Sequence, residues 1–421
     1  MRIIKNIKKI IKYICQDNLY KNASYLMISN IIVGVLGFVF LFIATHLYST
    51  QDVGIYTTLI STMGLISLLA IYGGFYAFMI RFIPLYAPKE QNDFIFASFI
   101  FHIIIVIFLS LIFILFINFF VPKLNFLHTI FYGGIFVIFS IFFAISSLFN
   151  GVFTAYRKTK LVVIKNVMEN SSKIILLPLF TTFLCFGIFY SYGIGIIVSV
   201  FVSFFLLSKI KKMNDFKASI FSGYNIIRKN FDYISASYLS MLATSAFGLL
   251  LPLLIINLLS AESTAYFFIA WSIFSIFSTL ITSVTTSFFV EGSYDEKNIK
   301  KNRNKGLKFA LIIGMFCVLL IFLFGNFILA LLGKEYLNSS NLLYVFSISI
   351  YLFASNRIYS TILSIRKKMR EIVAFNFLIT GCAIGFSVLF LPLYGLIGIG
   401  YGWILGQFIG VGWTVIRRER I

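Results

Sequence analysis

One arginine stands inside an apolar run, where a charge is costly. Arg357 lies in the stretch FASNRIYSTILSIRKKMRE, nine residues before the basic cluster that begins at Arg366. Nine helical residues rise about 13 Å, close to half of the roughly 30 Å hydrocarbon layer of a bilayer. A guanidinium at that depth costs roughly 2.5–3.5 kcal/mol on insertion scales, so it needs a partner or a water-filled cavity. Its planar fork of donors suits bidentate binding of a phosphate-like anion.

Polar neighbours share one side of the helix with Arg357. They are Asn356, Ser360 and Thr361. Helical spacing places positions 353, 357, 360, 361 and 364 along one strip, so we predict that this strip lines a cavity and binds an anion. A buried ion pair, a guanidinium bonded to carbonyl groups, and a misplaced span boundary are the alternatives.

A second polar strip lies along the predicted fifth span. Lys165, Asn166, Glu169, Asn170 and Lys173 recur at helical spacing. Glu169 can pair with both lysines at i, i+4, which leaves one surplus positive charge. We take Glu169, Asn170 and Lys173 as candidate binding residues. The alternative is a helix end that projects into the cytosol with a solvated strip.

The remaining single candidates have structural alternatives. Arg81 closes the second predicted span and is either a ligand for the anion or an anchor at the inner interface. His102 fits a hydrogen-bonded interior histidine better than a proton relay. The four cysteines and three histidines show no metal-ligand spacing, so we expect no metal, no cofactor and no disulfide framework.

The composition identifies the solvent of this chain as lipid. Of 421 residues, 60% are hydrophobic and 12% are charged, and the mean hydropathy is +0.97. These values lie far from those of a soluble domain. The net charge of +21 is explained by topology and by attraction to anionic lipid, so we expect membrane lipids and no nucleic acid as partners.

The apolar runs predict an all-α, polytopic membrane protein with about twelve transmembrane helices and both termini in the cytoplasm. With that topology, all of the 35 Lys and Arg residues except Lys123, Lys334 and Arg357 fall on the inner side. The predicted spans are 22–47, 54–80, 94–120, 129–155, 161–187, 188–208, 233–258, 264–290, 306–332, 340–365, 371–391 and 393–416.

Weak internal repeats divide these spans into two sets of six. Gly54-Ile55-Tyr56 matches Thr264-Ala265-Tyr266, and Arg157-Lys158 matches Arg366-Lys367, both at an offset of about 210 residues. We therefore predict two parallel six-helix bundles around a central cleft. The predicted segments are a basic amphipathic helix at 1–21, bundles at 22–208 and 233–416, a basic cytoplasmic linker at 209–232, and a cytoplasmic tail at 417–421.

Several turn motifs resemble one transporter family. The motifs are STQDVGIY from Ser49, GGFYAFMIRFIP from Gly73, FNGVFTAYRKTK from Phe149, LLGKEYLNSSNLLYVFSIS from Leu331, and LPLYGLIGIGYGWILGQ from Leu391. In these the chain resembles the polysaccharide exporters and O-antigen flippases (Wzx-type) of the multidrug/oligosaccharidyl-lipid/polysaccharide (MOP) exporter superfamily. The likeness extends over essentially the whole chain and implies a MATE-like fold.

The resemblance implies a flippase and not an enzyme. Its substrate would be an undecaprenyl-pyrophosphate-linked oligosaccharide, such as an O-antigen or capsule repeat unit, carried across the bacterial inner membrane by alternating access. Other polysaccharide assembly proteins are further candidate partners. An ion-coupled multidrug exporter of the same fold is the alternative, although no carboxylate other than Asp52 stands between Asn22 and Arg81. A membrane-embedded glycan polymerase or ligase is a more distant alternative, because the predicted outer loops are short.

Overall fold

The protein is built from α-helices. The computed structural model describes residues 18–210, 218–294, 299–366 and 368–417, and these ranges contain no β-strand. The helices up to residue 210 are α1 Asn18–Leu47, α2 Thr50–Leu69, α3 Tyr72–Phe82, α4 Pro88–Leu115, α5 Ile117–Phe120, α6 Ile130–Ala155, α7 Thr159–Leu176 and α8 Cys185–Ile210. Those that follow are α9 Ile220–Lys229, α10 Phe231–Leu258, α11 Ala261–Tyr294, α12 Ile299–Leu332, α13 Ser340–Ile348, α14 Ile350–Ile365, α15 Met369–Tyr394 and α16 Ile397–Ile416.

Most predicted spans coincide with helices that are long and apolar enough to cross a membrane. Within the described ranges, nine single helices meet that test, and the segments Lys334–Ile348 and Ile350–Ile365, bent by 42° at their junction, meet it together as a pair. Two predicted spans remain. The run 22–47 falls on α1, and the run 161–187 falls on α7 and the 3₁₀ helix Leu177–Phe183. The prediction of a polytopic all-α membrane protein is confirmed, and the count of twelve stays a prediction.

The predicted second span is broken in the middle. Between α2 and α3, Ile71 adopts a left-handed φ of 66°, which is rare for a β-branched residue. The break frees the carbonyl group of Ala70, and Nδ1 of His102 donates to it at 2.7 Å. The hydroxyl of Ser67 lies 3.2 Å from Nε2 of the same ring. His102 is therefore the hydrogen-bonded interior histidine that the sequence suggested.

Two sets of helices meet along one seam. Most of the helices α1 to α8 pack within their own set, as do most of α11 to α16, whereas α2 and α3 pack along α10 and α11 across the seam. Within the first set, α7 lies between α1 and α8. Within the second, α14 contacts α11, α12, α15 and α16. α7 and α14 carry the candidate charges, and each is flanked by other helices of its own set.

The described part of the predicted linker 209–232 includes a helix. It contains α9, which packs on α4, and the Ser219 backbone amide donates to Oδ1 of Asp93 at 2.7 Å. The predicted amphipathic segment 1–21 lies almost entirely outside the described residues, as does the predicted tail after Arg417. Cys185, Cys317 and Cys382 are free thiols.

Candidate functional site

A buried ion pair holds the middle of α7. Lys165 Nζ lies 3.4 Å from Oε2 of Glu169, and the two side chains are 2% and 17% exposed. Lys165 also donates to the side-chain oxygens of Asn150 and Asn166, each at 3.2 Å. Glu169 accepts from the hydroxyl of Ser146 at 3.2 Å. The alternative of a solvated strip is therefore wrong, because both charges are enclosed by α6, α7 and α8.

Lys173 is the surplus cation of this cluster. It forms no ion pair with Glu169, and its Nζ lies 4.9 Å from the ring centroid of Tyr192 and 5.4 Å from that of Phe40. Only 8% of the residue is exposed. Cations are stabilised over aromatic faces, so the ammonium group of Lys173 is held without a carboxylate. The predicted i, i+4 pairing is correct for Lys165 and wrong for Lys173.

A cavity of about 340 Å³ opens beside Lys173, between the two sets of helices. Its wall on the N-terminal side comes from α1, α2, α7 and α8, and includes Tyr56 and Tyr192. Its wall on the C-terminal side comes from α11 and the end of α12, and includes Trp271. This central cavity is therefore lined by aromatic rings, with one cation in its wall.

The cavity is also bordered by glycines of α1. Gly34 and Gly37 line it, and a Cβ atom built on either would meet nothing within 4 Å.

Gly195 has a packing role, because a Cβ there would lie 2.8 Å from the carbonyl oxygen of Glu169. Its lack of a side chain lets α8 approach α7 next to Lys173.

Arg357 occupies a separate and smaller pocket of about 70 Å³. Asn356 and Ser360 line this pocket together with residues of α10, α15 and α16, among them Asn376 and Gln407. The guanidinium carbon lies 5.4 Å from the ring centroid of Phe353, and Nε is buried without a hydrogen-bond partner. No carboxylate in the described part of the chain pairs with Arg357, so the alternative of a structural ion pair finds no support there.

An aromatic cluster separates the two pockets. Trp271 lines the central cavity and Trp403 lines the Arg357 pocket, and their ring centroids are 5.2 Å apart. Phe247 and Phe274 pack on both indole rings, and Phe274 also contacts Phe353 beneath Arg357. The structure thus places Arg357 and Lys173, the two predicted binding cations, in different pockets.

Among the other predicted binding residues, Thr361, Glu169 and Asn170 line neither pocket. Thr361 donates to the carbonyl of Arg357 at 2.8 Å, and Asn170 donates to the carbonyl of Asn166 at 2.7 Å, both within their own helices. Asn356 does line the Arg357 pocket, but its amide nitrogen is bonded to the backbone and side-chain oxygens of Gln407, both at 2.8 Å.

Arg81 also lies apart from the two pockets. It is exposed at the end of α3, and its guanidinium carbon lies 5.0 Å from the ring centroid of Tyr233. The geometry favours the interface anchor over the ligand for this residue.

The two sets of helices also meet at the end that carries Lys123 and Lys334, here called the outer end. Thr50 at the start of α2 donates to the carboxylate of Glu335. A Cβ on Gly54 would overlap the backbone of Ala261, so glycine is required for this close approach of α2 to α11. Lys123 adds a hydrogen bond to the carbonyl of Leu259 at 3.3 Å. These contacts join the two sets at the outer end.

One tyrosine ties α1 to α7 at the same end. Tyr48, between α1 and α2, donates to the carbonyl of Leu177 at 2.8 Å. Burial, with a smaller effect of the Asp52 carboxylate, raises the pKa of Tyr48 to about 12. The hydroxyl therefore keeps its proton, and this hydrogen bond, at physiological pH.

Sequence reasoning missed the aromatic part of the central cavity. Phe40, Tyr56, Tyr192 and Trp271 carry no local signal in a chain with 52 Phe, 23 Tyr and 3 Trp. Only the repeat between Tyr56 and Tyr266 singled out one of them. Their role depends on contacts between helices far apart in sequence, which periodicity does not reveal.

Comparisons with solved structures identify the fold. The chain is similar to an inward-facing multidrug resistance MATE family transporter of the MOP superfamily, at 17% identity and a TM-score of 0.69 over 95% of this chain and 98% of that one. It is similar to the lipid II flippase MurJ in an inward closed conformation, at 16% identity and a TM-score of 0.74 over 94% and 87%. A MOP superfamily transporter from Pyrococcus furiosus, described as having a binding pocket of reverse polarity, matches at 17% identity and a TM-score of 0.53 over 94% and 92%. These likenesses confirm the predicted MATE-like fold.

The sequence itself matches a family model. No curated protein sequence gives a significant match to the chain. The model for polysaccharide biosynthesis proteins matches residues 19–289, which is more than half of the chain. The protein is therefore a membrane-spanning member of the polysaccharide biosynthesis protein family, with the fold of MOP-superfamily transporters.

Proposed function

We propose that the protein is a flippase for a lipid-linked oligosaccharide that carries a diphosphate, such as an undecaprenyl-pyrophosphate-linked repeat unit of an O-antigen or capsule. It works in the bacterial inner membrane. The bundles 22–208 and 233–416, joined by the linker 209–232, rock about the seam of α2 and α3 with α10 and α11 and so expose the cavity alternately to the two sides. Family membership and the fold support this proposal.

The observation that carries the proposal is the unpaired cation in the wall of the central cavity. Lys165 and Glu169 neutralise each other, so the charge cluster of α7 presents one net positive charge, on Lys173. Attraction between opposite charges is much stronger in a site of low dielectric than in water. A diphosphate that enters the cavity would gain a charge-assisted hydrogen bond from this ammonium group.

The size and lining of the cavity suit a sugar headgroup. A volume of about 340 Å³ falls at the lower end of ordinary ligand sites, roughly 300–1,000 Å³. Tyr56, Tyr192 and Trp271 each combine an apolar ring face with a polar atom, and a pyranose ring has the matching combination of C–H faces and hydroxyl groups. Ser272 and Ser275 add hydroxyl groups on the C-terminal side.

The position of the cavity leaves a route for the lipid tail. Gly34 and Gly37 on α1 border open space, and α11 forms the opposite wall. We infer that the prenyl chain stays in the bilayer and passes between α1 and α11 while the headgroup occupies the cavity. The contacts of Thr50 with Glu335 and of Gly54 with Ala261 would then close the outer side in the described conformation.

Arg357 acts at a second stage in this proposal. Its pocket of about 70 Å³ has room for about two water molecules and is too small for a diphosphate with its sugar. Rearrangement of the rings of Trp271 and Trp403 would join this pocket to the central cavity. Arg357 would then take over phosphate oxygens from Lys173 as the bundles move.

The charge of the cavity argues against the alternative of a multidrug exporter for cations. Its lining includes Lys173 and no carboxylate among the described residues. An exporter of organic cations would be expected to hold an acidic group there.

Polysaccharide display in a complemented deletion strain tests the proposal. Lys173→Met and Arg357→Ala should each lower display roughly tenfold or more, because a hydrogen bond to a charged group contributes ~1.5–3 kcal/mol. Arg357→Lys should be intermediate, since lysine keeps the charge and loses the bidentate geometry. Lys160→Met, at an exposed position in the first turn of α7, is the matched control. Wild-type display by Lys173→Met at equal membrane abundance would reject the proposed role of the cavity.

A further inference from the structure

A second polar pocket lies at the other end of the C-terminal helices, where α12 enters the apolar part of its sequence. Its volume is about 210 Å³, and α12, α14 and α16 line it. Arg303 and Asn304 of α12 and Thr414 of α16 supply polar groups. It shares no lining residue with the central cavity or with the Arg357 pocket. The transport route proposed above does not use it.

An apolar groove continues from this pocket along α12. The groove has a volume of about 520 Å³ and shares Asn304 and Leu307 with the pocket. Leu311 and Met315 line its length, and Tyr351 of α14 forms the other side. From Asn304 to Met315 the helix rises about 16 Å, so the groove runs well into the depth of a hydrocarbon layer.

The pocket carries positive charge that is free to bind a ligand. Arg303 uses Nε and Nη2 to donate to the side-chain oxygen of Asn304, at 3.2 and 3.1 Å. A guanidinium has five N–H groups, so three remain for another acceptor. Lys308, five residues after Arg303, lines the groove. Among the described side chains, no carboxylate pairs with Arg303 or Lys308.

The depth of these cations matches that of lipid phosphates. The apolar window of α12 is Gly306–Leu332, so Arg303 directly precedes it and Lys308 lies at its first turn. Two more basic residues lie at the start of α15, next to the end of α14: Lys368, which pairs with Glu371 at 3.1 Å, and the exposed Arg370. This end of the helices is the one that the sequence places at the cytoplasmic leaflet, whose surface is anionic.

From this arrangement we infer that α12, α14 and α16 form a specific site for an anionic glycerophospholipid. Its phosphate binds between Arg303 and Lys308, and one acyl chain lies in the groove of Leu311, Met315 and Tyr351. A zwitterionic lipid would bring its own ammonium or choline group next to these cations, so the charge favours a lipid of net negative charge such as phosphatidylglycerol. By filling the space between α12 and α14, the lipid would brace the helix that carries Arg357.

Thermal unfolding of the purified full-length protein in a neutral detergent tests this site. Phosphatidylglycerol should raise the unfolding temperature more than phosphatidylcholine does at the same concentration. The double variant R303Q/K308Q should lower the affinity for phosphatidylglycerol roughly tenfold or more, because two charge-assisted contacts are lost. Met315→Trp fills the groove and leaves both cations in place. This variant should lose the additional rise in unfolding temperature that phosphatidylglycerol causes.

Lys209→Gln is the matched control, since Lys209 is a basic residue at a helix end that packs on Phe205 and lines neither the pocket nor the groove. The unfolding temperature of this variant should rise with phosphatidylglycerol as much as that of the wild type does. Equal responses of the wild type to the two lipids would overturn the inference, as would an unchanged response of both variants. Displacement of bound phosphatidylglycerol by an equimolar amount of a polyprenyl phosphate would also overturn it, because the site would then belong to the substrate.

Discussion

The ion pair of α7 gives the most quantitative prediction. Removing one partner of a buried ion pair typically costs ~3–5 kcal/mol, because the other charge is left without compensation. Lys165 is 2% exposed, so water cannot replace Glu169 in the variant Glu169→Gln. The side-chain oxygens of Asn150 and Asn166, both 3.2 Å from the ammonium, supply part of the missing interaction. We therefore expect a loss near the lower limit, about 3 kcal/mol of unfolding free energy.

The complementary variants complete a double-mutant cycle. Lys165→Met leaves the carboxylate of Glu169 with the hydroxyl of Ser146 and should cost a similar ~3 kcal/mol. The double variant K165M/E169Q leaves neither charge of the pair without its partner. Its loss of unfolding free energy should be at least ~2 kcal/mol smaller than the sum of the two single losses.

The assay is the unfolding free energy in mixed micelles titrated with a denaturing detergent, with Lys160→Met as a control that changes it by less than ~0.5 kcal/mol. Single losses that add within ~0.5 kcal/mol would refute the account, because they would show that the two charges do not interact.

Three further predictions concern contacts between helices. Gly54→Val should lower the folded yield strongly, since the new side chain overlaps the backbone of Ala261, and size-exclusion profiles of the purified protein would show aggregation instead of a single peak. His102→Phe removes the donor to the freed carbonyl of Ala70 and should cost ~1–3 kcal/mol of unfolding free energy; a change below ~0.5 kcal/mol would show that the break between α2 and α3 does not need this bond. Trp271→Ala should cost ~3–5 kcal/mol and should let a thiol reagent that enters the central cavity modify a cysteine placed at Arg357; no change in the modification rate would contradict the separation of the two pockets by these rings.

Much of the fold was predictable because the solvent of this chain is lipid. Long apolar runs and an asymmetric distribution of Lys and Arg are strong signals, and they gave the class, most helix positions and the predicted orientation. The break at Ile71 and the bend before α14 were not visible, because both depend on tertiary contacts, such as the hydrogen bond of His102 to Ala70.

The candidate site was predictable only in part. The charged residues could be identified from the sequence, because a charge in an apolar helix has an unfavourable free energy of insertion. Arg357, Lys165 and Lys173 stood out for this reason. Their partners could not be predicted, because i, i+4 spacing offered Glu169 equally to both lysines. The structure assigns it to Lys165, and aromatic rings take the place of a carboxylate for Lys173. The separation of Arg357 by ring contacts among α10, α11, α13 and α16 had no counterpart in the sequence pattern.

The central claim is that the ammonium group of Lys173 receives the diphosphate of a lipid-linked saccharide. The most direct measurement is the rate at which purified protein in proteoliposomes moves a fluorescent lipid-linked saccharide diphosphate between leaflets, for the wild type, Lys173→Met and Lys160→Met. We expect transport by the wild type and by the Lys160→Met control. For Lys173→Met we expect a transport rate reduced by about tenfold or more. Equal rates for all three proteins, or no transport above that of empty liposomes by the wild type, would contradict it.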